Sequence, residues 1–223
     1  MKKRLSSKLM RPLRLSLLAP LLLSVAATAS DTQSWLDNSL TLGISDDWSL
    51  KVTQELRSND LDYGDRFLRN WSLGVARNLP RNTYLGASYK REWEEKAGFT
   101  RKENRLTLEG GWKKSLAGGA GFDARLRSEF RRFESDRGTD NTRYRIRVRL
   151  RRKIEMGRRQ LTPFVWSELF SNPDALEFER VRSALGASVR LDEKTAVQIG
   201  YVRQDTRDAS SIQALKIGFD LSF

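Results

Sequence analysis

Apolar and polar residues alternate along most of the chain from residue 34 onward. The run 142–155 shows the pattern most clearly, because arginines occupy successive odd positions and Tyr, Ile, Val and Leu occupy the even positions between them. Successive side chains of a β-strand point to opposite faces, so this period of two predicts strands with one apolar and one polar face. Eleven strands are predicted, at 34–44, 48–58, 66–78, 83–94, 100–113, 120–134, 142–155, 160–170, 177–191, 195–205 and 211–223.

The predicted connections alternate between short and long. Tight turns rich in turn-forming residues are expected at 45–47, 80–82 and 192–194, whereas the links at 59–65 and 135–141 are longer and polar. This alternation is typical of an antiparallel up-and-down meander whose two ends face different surroundings.

Strand length decides which face points outward. Most of the predicted strands have eleven to fifteen residues, whereas soluble strands have about five or six and tilted membrane strands need about nine to eleven. Aromatic residues also lie near strand ends on the apolar face, as interfacial girdles require. These are Trp48, Trp93, Trp112, Tyr144 and Tyr201. The pattern therefore favours an all-β transmembrane barrel with its apolar face toward lipid and a polar lumen.

The N-terminus has the three regions of a cleaved signal peptide. A basic start precedes an apolar stretch at 15–25, and Ala27-Thr28-Ala29 supplies the small residues of a cleavage site. We therefore expect a signal peptide at 1–29 and a barrel domain at 30–223. Removing the six basic residues of the signal peptide lowers the formal charge from +13 to +7. No later apolar run is long enough to predict a membrane-spanning helix.

The C-terminus resembles the sorting signal of bacterial outer-membrane barrels. Lys216 and Gly218 are followed by Leu221 and the terminal aromatic Phe223 in strand register. The protein is therefore expected in the cell outer membrane, with outer-membrane lipid and the barrel assembly machinery as its partners.

The number of strands depends on the first segment. If the chain ends in the periplasm, a strand at 34–44 enters from outside and would have to close the barrel in parallel. Ten spanning strands over 48–223 are expected, with 34–44 completing an edge or lying against the barrel; twelve strands are the alternative. The oligomeric state is left open.

The polar face carries more basic than acidic residues and is expected to line the lumen. Its predicted basic ladder is Arg125, Arg127, Arg143, Arg145, Arg147, Arg149, Arg151, Arg180 and Arg182. The predicted acidic partners are Glu55, Glu103, Glu109, Glu129 and Glu168.

Several segments resemble the bacterial outer-membrane proteins grouped as domain of unknown function family 2490 (DUF2490). The resemblance extends over nearly all of the chain after the signal peptide. It is carried by Trp35, Trp48-Ser49-Leu50, 54–57, 103–106, Arg125-Leu126-Arg127, 142–155, 168–172 and Gly200-Tyr201. It implies the barrel fold and supplies no function.

Three functions fit this pattern to different degrees. Long Arg and Glu side chains fill a barrel of this width, which favours a structural, occluded lumen; a small anion-selective pore is the alternative. A lipid- or envelope-modifying enzyme is disfavoured because the chain has no His and no Cys and no convergent catalytic motif. No catalytic residue, cofactor or metal is predicted. Nucleic acid is not an expected partner, since the arginine face lacks stacking aromatics.

Overall fold

The structure, a computed structural model, describes residues 32–60, 65–134, 138–157, 159–173 and 177–223. The predicted signal peptide at 1–29 lies outside these residues. The strands are β1 Thr32–Gly43, β2 Trp48–Ser58, β3 Arg66–Leu79, β4 Thr83–Lys96, β5 Phe99–Ser115, β6 Ala120–Phe133, β7 Asn141–Arg152, β8 Ile154–Met156, β9 Arg159–Asn172, β10 Glu177–Arg190, β11 Thr195–Thr206 and β12 Ile212–Ser222.

These strands form one closed barrel with eleven strands around its circumference, because β7 and β8 together occupy one place. Each strand pairs with its neighbour in sequence, and the short β8 continues β7 along the same partner, β9, after a break at Lys153. The predicted all-β barrel is confirmed, and its strand number lies within the expected ten to twelve.

The barrel closes through a parallel pair, which corrects the expected position of the first segment. β1 is a full strand that pairs with β2 on one side and with β12 on the other, where Trp35 lies opposite Lys216. The seam extends to the C-terminus, because the backbone N–H of Phe223 donates to the carbonyl of Thr41 at 2.9 Å. In an up-and-down meander with an odd number of strands, the first and last strands run in the same direction, so closure has to be parallel.

The barrel has an apolar exterior and a polar interior. Leu126, Ile146 and Val165 are 50–54% exposed on the outer face, whereas Glu129 and Glu168 are 1–2% exposed inside. The outer apolar face continues over every strand pair of the described chain, so it matches the alternation predicted from the sequence. A small apolar cluster of Trp35, Ala184, Val202 and Ala214 is also buried, on the β1 and β10–β12 side of the lumen.

The connections define the two ends of the barrel. The turn end carries the links after β1, β3, β5, β8 and β10, together with the C-terminus; the loop end carries the other links and the start of β1. The link between the predicted strands 83–94 and 100–113 was expected to be longer and polar, which is wrong. β4 and β5 are joined by two residues, with Gly98 at φ +81°. Glycine adopts this left-handed conformation without steric cost, so the hairpin closes tightly. No helix among the described residues is long and apolar enough to cross a membrane.

Candidate functional site

The lumen contains a cavity of about 1080 Å³ that is lined by all eleven barrel strands. Its lining extends from Ala209 and Ser210 at the loop end to Ser49 and Asn78 at the turn end. Among the residues that the structure describes, 18 Lys and Arg side chains and 10 Asp and Glu side chains line it. The cavity is therefore a basic space that reaches both ends of the barrel.

Ion pairs are concentrated in the half of the lumen nearer the loop end. Glu129 on β6 is 1% exposed and accepts hydrogen bonds from Arg143 and Arg145 on β7, each at 2.6 Å. Arg105 on β5 approaches the same carboxylate at 3.9 Å. Charge-assisted contacts of this kind are about twice as strong as neutral ones, so they hold these arginines in fixed positions.

The network continues around the barrel in both directions from Glu129. On one side, Arg145 also donates to Glu168 on β9 at 2.5 Å, and Arg125 reaches the same residue at 2.8 Å. On the other side, Arg105 pairs with Glu103 at 2.5 Å and approaches Glu92 on β4 at 3.5 Å.

The pairs then pass from β4 to β2. Lys90 bridges Glu92 at 3.7 Å and Glu55 at 3.8 Å, and Glu55 pairs with Arg57. Asn70 on the intervening β3 donates to Glu55 at 3.2 Å. Each strand from β2 to β7, and β9, therefore contributes a polar side chain to one connected network.

Aromatic rings complete the circuit across the remaining wall. The guanidinium groups of Arg57 and Arg182 lie 3.9 and 4.9 Å from the ring centre of Trp35 on β1. Arg182 and Arg145 lie 5.1 and 4.5 Å from that of Phe170 on β9. Cation–π contacts of desolvated guanidinium groups contribute about 2 kcal/mol. We call this circuit, from Glu55 through Glu129 and Glu168 to Trp35, the loop-end belt.

Two arginines nearer the turn end have different partners. Among the described residues, no carboxylate lies within 4 Å of Arg147 or Arg149 on β7. Arg149 instead lies 4.5 Å from the ring centre of Phe164, and Arg147 lies 6.0 Å from that of Trp166. The Nε of Arg149 is buried without a hydrogen-bond partner in the described chain.

Two glycines on the adjacent wall make room for the Phe164 ring. A Cβ at Gly186 would lie 2.7 Å from the tip of Phe164, and one at Gly200 would lie 3.5 Å from it. The ring can therefore lie against the β10–β11 backbone and present a face to Arg149.

All nine predicted basic residues line the cavity. Arg127 pairs with Glu109 at 2.6 Å, Arg151 with Asp123 at 3.4 Å, and Arg180 lies 5.5 Å from the Phe170 ring centre. Of the predicted acidic partners, Glu55, Glu109, Glu129 and Glu168 also line the cavity. Glu103 is 2% exposed and is enclosed between Arg105 and Arg131 instead.

The C-terminal residues divide between the two faces. Lys216 and Gly218 line the cavity, and Lys216 pairs with Asp37 across the parallel seam. Leu221 and Phe223 are 39% and 60% exposed on the outer face. Their role in sorting stays a prediction.

The sequence-based site residues omitted the aromatic residues of the lumen. Trp35, Trp166 and Phe170 line the cavity and carry the cation–π contacts of its wall. Their parity could have identified them, because Trp166 and Phe170 share the even positions of Glu168, whereas the outward Val165 takes an odd one. Among the described residues, no group of acidic side chains could hold a metal ion.

Three solved structures are similar to this barrel. The β domain of the Bordetella autotransporter BrkA has a TM-score of 0.51 and 15% identity, covering 79% of this chain and 83% of that one. An anion-selective porin from Comamonas acidovorans has a TM-score of 0.37, 13% identity and coverages of 76% and 55%. The siderophore receptor PirA from Pseudomonas aeruginosa has a TM-score of 0.31, 15% identity and coverages of 78% and 34%. The BrkA domain, at 15% identity, establishes a shared fold alone, and that fold is an outer-membrane-type β-barrel.

The family match is more extensive. Residues 32–214 match the family model DUF2490, described as "Protein of unknown function (DUF2490)". The chain belongs to this family, which confirms the resemblance found in the sequence. A search of curated proteins found no match.

Proposed function

We propose that the protein is an outer-membrane barrel whose lumen is a narrow anion-selective passage. The observation that supports this most directly is the cavity lined from the loop end to the turn end, with 18 basic and 10 acidic side chains among the described residues. A water-filled lumen with this excess concentrates anions and repels cations, because the low-dielectric wall focuses the field of the charges.

The barrel width sets the size of the passage. Eight-stranded barrels are filled by side chains, and barrels of sixteen or more strands leave wide channels. Eleven strands lie between these limits. The loop-end belt narrows the lumen further, so the conductance should be far below that of a general porin.

The belt itself supports a second function. A complete circuit of ion pairs and cation–π contacts is also what a structural, occluded lumen requires, and Glu129 and Glu168 are 1–2% exposed within it. In this alternative the arginines pack the barrel and nothing passes.

Current through a planar bilayer distinguishes the two functions. Purified barrel should give small steps, and a KCl gradient should shift the reversal potential toward the chloride equilibrium potential. Arg147→Glu should weaken that preference because it reverses a charge on the lumen wall. The matched control Arg152→Glu lies outside the cavity lining and should leave selectivity unchanged. Absence of current from protein that gives a folded heat-shift band would support the occluded lumen.

We also propose, because of the same fold, that the protein is located in the outer membrane. The mature chain, cleaved after residue 29, should fractionate with the outer membrane and resist carbonate extraction. The apolar outer face, with Leu126 and Ile146 more than 50% exposed, requires lipid in place of water. Recovery as a soluble periplasmic monomer would contradict the proposal.

We also propose that the C-terminal residues are recognised by the barrel assembly machinery. Phe223→Asp should reduce the amount of assembled barrel far more than Ser222→Asp, although both residues lie at the turn end, where charges facing lipid cost little. A heat-shift gel of outer membranes measures assembly. Equal tolerance at both positions would contradict a sorting role.

A further inference from the structure

A small recess opens from the turn-end half of the lumen. It has a volume of about 60 Å³ and is lined by Arg147, Arg149, Phe164, Trp166, Gln198 and Lys216, together with three small or aliphatic residues. Arg147, Arg149 and Lys216 also line the main cavity, so the recess communicates with it. We call it the β7–β12 recess.

The charge of the β7–β12 recess is one-sided. Three of its lining residues are cationic, and none is acidic. Of the acidic residues around it, Glu168 binds Arg125 and Arg145, and Asp123 pairs with Arg151. Asp37 pairs with Lys216 itself, so among the described residues Arg147 and Arg149 are the recess cations without a carboxylate within 4 Å. Grouped cations removed from water are costly unless a negative group joins them, so the recess is electrostatically suited to an anion.

The chemistry of the two guanidinium groups favours an oxyanion over a halide. Arg149 and Arg147 place their centres 4.5 and 6.0 Å from the rings of Phe164 and Trp166. A guanidinium that holds no carboxylate can donate with two N–H groups to two oxygens of one anion. The Nε of Arg149 is buried and has no hydrogen-bond partner in the described chain, so this guanidinium has an unsatisfied donor.

The size of the recess fits a small tetrahedral group. A single water needs about 10–15 Å³ of such volume, so 60 Å³ holds roughly four or more water-sized groups. The main cavity of about 1080 Å³ beyond it leaves room for the rest of a larger solute. Gln198 adds an uncharged amide that can donate to an oxygen.

We propose that the β7–β12 recess binds a tetrahedral oxyanion, either free phosphate or the phosphate group of a small solute. This deepens the proposed function by naming a ligand class, and it rests on that proposal for passage through the lumen. Binding itself requires only the folded barrel. Binding and conduction can therefore fail separately.

Isothermal titration of the folded barrel in detergent tests binding, with inorganic phosphate, glycerol 3-phosphate and chloride as probes. At low ionic strength, phosphate or its ester should bind at least tenfold more tightly than chloride. Binding of the ester alone would identify the phosphate group of a larger solute as the ligand. Absence of binding by both phosphate probes, or equal affinity for chloride, would overturn the proposal whatever the bilayer currents show.

Variants locate the site. The double change Arg147→Gln and Arg149→Gln should weaken phosphate binding tenfold or more, because both guanidinium groups that would donate to the anion are lost. Arg152→Gln, whose residue lies outside the lining of both the recess and the main cavity, is the matched control and should bind normally. If the double Gln variant does not fold, the charge-preserving Arg147→Lys and Arg149→Lys pair replaces it. That pair should weaken phosphate binding and leave chloride affinity unchanged. Unchanged phosphate affinity in the folded variant used would place the ligand elsewhere.

Discussion

The two halves of β7 carry the same residue type and make different contacts. Arg143 and Arg145, nearer the loop end, share the buried carboxylate of Glu129, each at 2.6 Å. Arg147 and Arg149, further along β7 toward the turn end, lie near the rings of Trp166 and Phe164. The position of carboxylates on neighbouring strands, and not the arginines themselves, separates a rigid belt from a wall available to anions.

This difference divides the expected roles. A buried carboxylate between arginines fixes their geometry and contributes to folded stability, whereas a guanidinium over an aromatic ring keeps donors available. The same ladder of arginines can therefore close the barrel at one level and accept a solute at the next.

The largest effect is expected in the belt. Glu129→Gln removes a carboxylate that is 1% exposed and leaves Arg143, Arg145 and Arg105 without it. Removing one partner of a buried ion pair costs about 3–5 kcal/mol, so the free energy of unfolding should fall by about that amount. Urea titration followed by heat-shift gel measures it.

The matched variant in the other half is Arg147→Gln. It should cost less than about 1 kcal/mol, because it removes one of two neighbouring, mutually repelling arginines that have no carboxylate within 4 Å in the described chain. Equal losses for Glu129→Gln and Arg147→Gln would remove the distinction between the two halves.

The second effect tests the face assignment on which the comparison depends. Val148 is 42% exposed on the outer face between Arg147 and Arg149. Val148→Arg should cost about 2–4 kcal/mol if the site lies near the bilayer midplane. Arg147→Glu, on the lumen face, should be better tolerated. A harmless Val148→Arg together with an unfolded Arg147→Glu would mean that the two faces are exchanged.

The third variant introduces into the turn-end half of the lumen a carboxylate like those of the loop-end belt. Gln198→Glu places a carboxylate in the recess that Arg147, Arg149 and Lys216 line. We expect a stability gain of about 1 kcal/mol, from charge-assisted hydrogen bonds reduced by desolvation, and loss of phosphate binding. Gln198→Met is the uncharged control of similar size and should give no gain. Destabilisation by Gln198→Glu would show that the cations do not converge there.

The smallest effect is expected outside the lumen. Asp192, in the turn between β10 and β11, accepts backbone hydrogen bonds from Lys194 and Thr195 at 2.8 Å each. The bond from Lys194 is the main cause that lowers the pKa of Asp192 below its ordinary 3.8. A lowered folded-state pKa stabilises the fold above the unfolded value, and this contribution is lost as the pH falls through the folded value.

Asp192→Ala should therefore lower the thermal midpoint slightly at pH 7, with the difference from wild type disappearing well below pH 3.8. Glu193→Ala, at the adjacent exposed residue, controls for the loss of one surface charge. A difference that persists unchanged in acid would show that the carboxylate charge is not its cause.

Local pattern in the sequence determined the strands and the two faces. The predicted strand 48–58 coincides with β2, because side-chain alternation is a property of neighbouring residues and needs no distant contact. The same parity placed Arg147 and Glu168 on the lumen side. It could not predict that the run 142–155 breaks at Lys153, or that β4 and β5 meet in a two-residue turn.

Only the tertiary structure decided closure and partnership. The parallel pairing of β1 with β12 joins residues 181 positions apart, as in the hydrogen bond from Ser39 to Asp220 at 2.5 Å, and no local signal encodes it. Partner choice is equally non-local. Glu168 lies directly opposite Arg147 in the β7–β9 register, yet it binds Arg145 and Arg125. Arginine side chains are long enough to reach carboxylates along and across the strands. The register alone therefore does not fix which carboxylate an arginine binds. Because Glu168 binds Arg145 and Arg125, Arg147 and Arg149 have no carboxylate within 4 Å in the described chain. The recess that they line therefore stays basic.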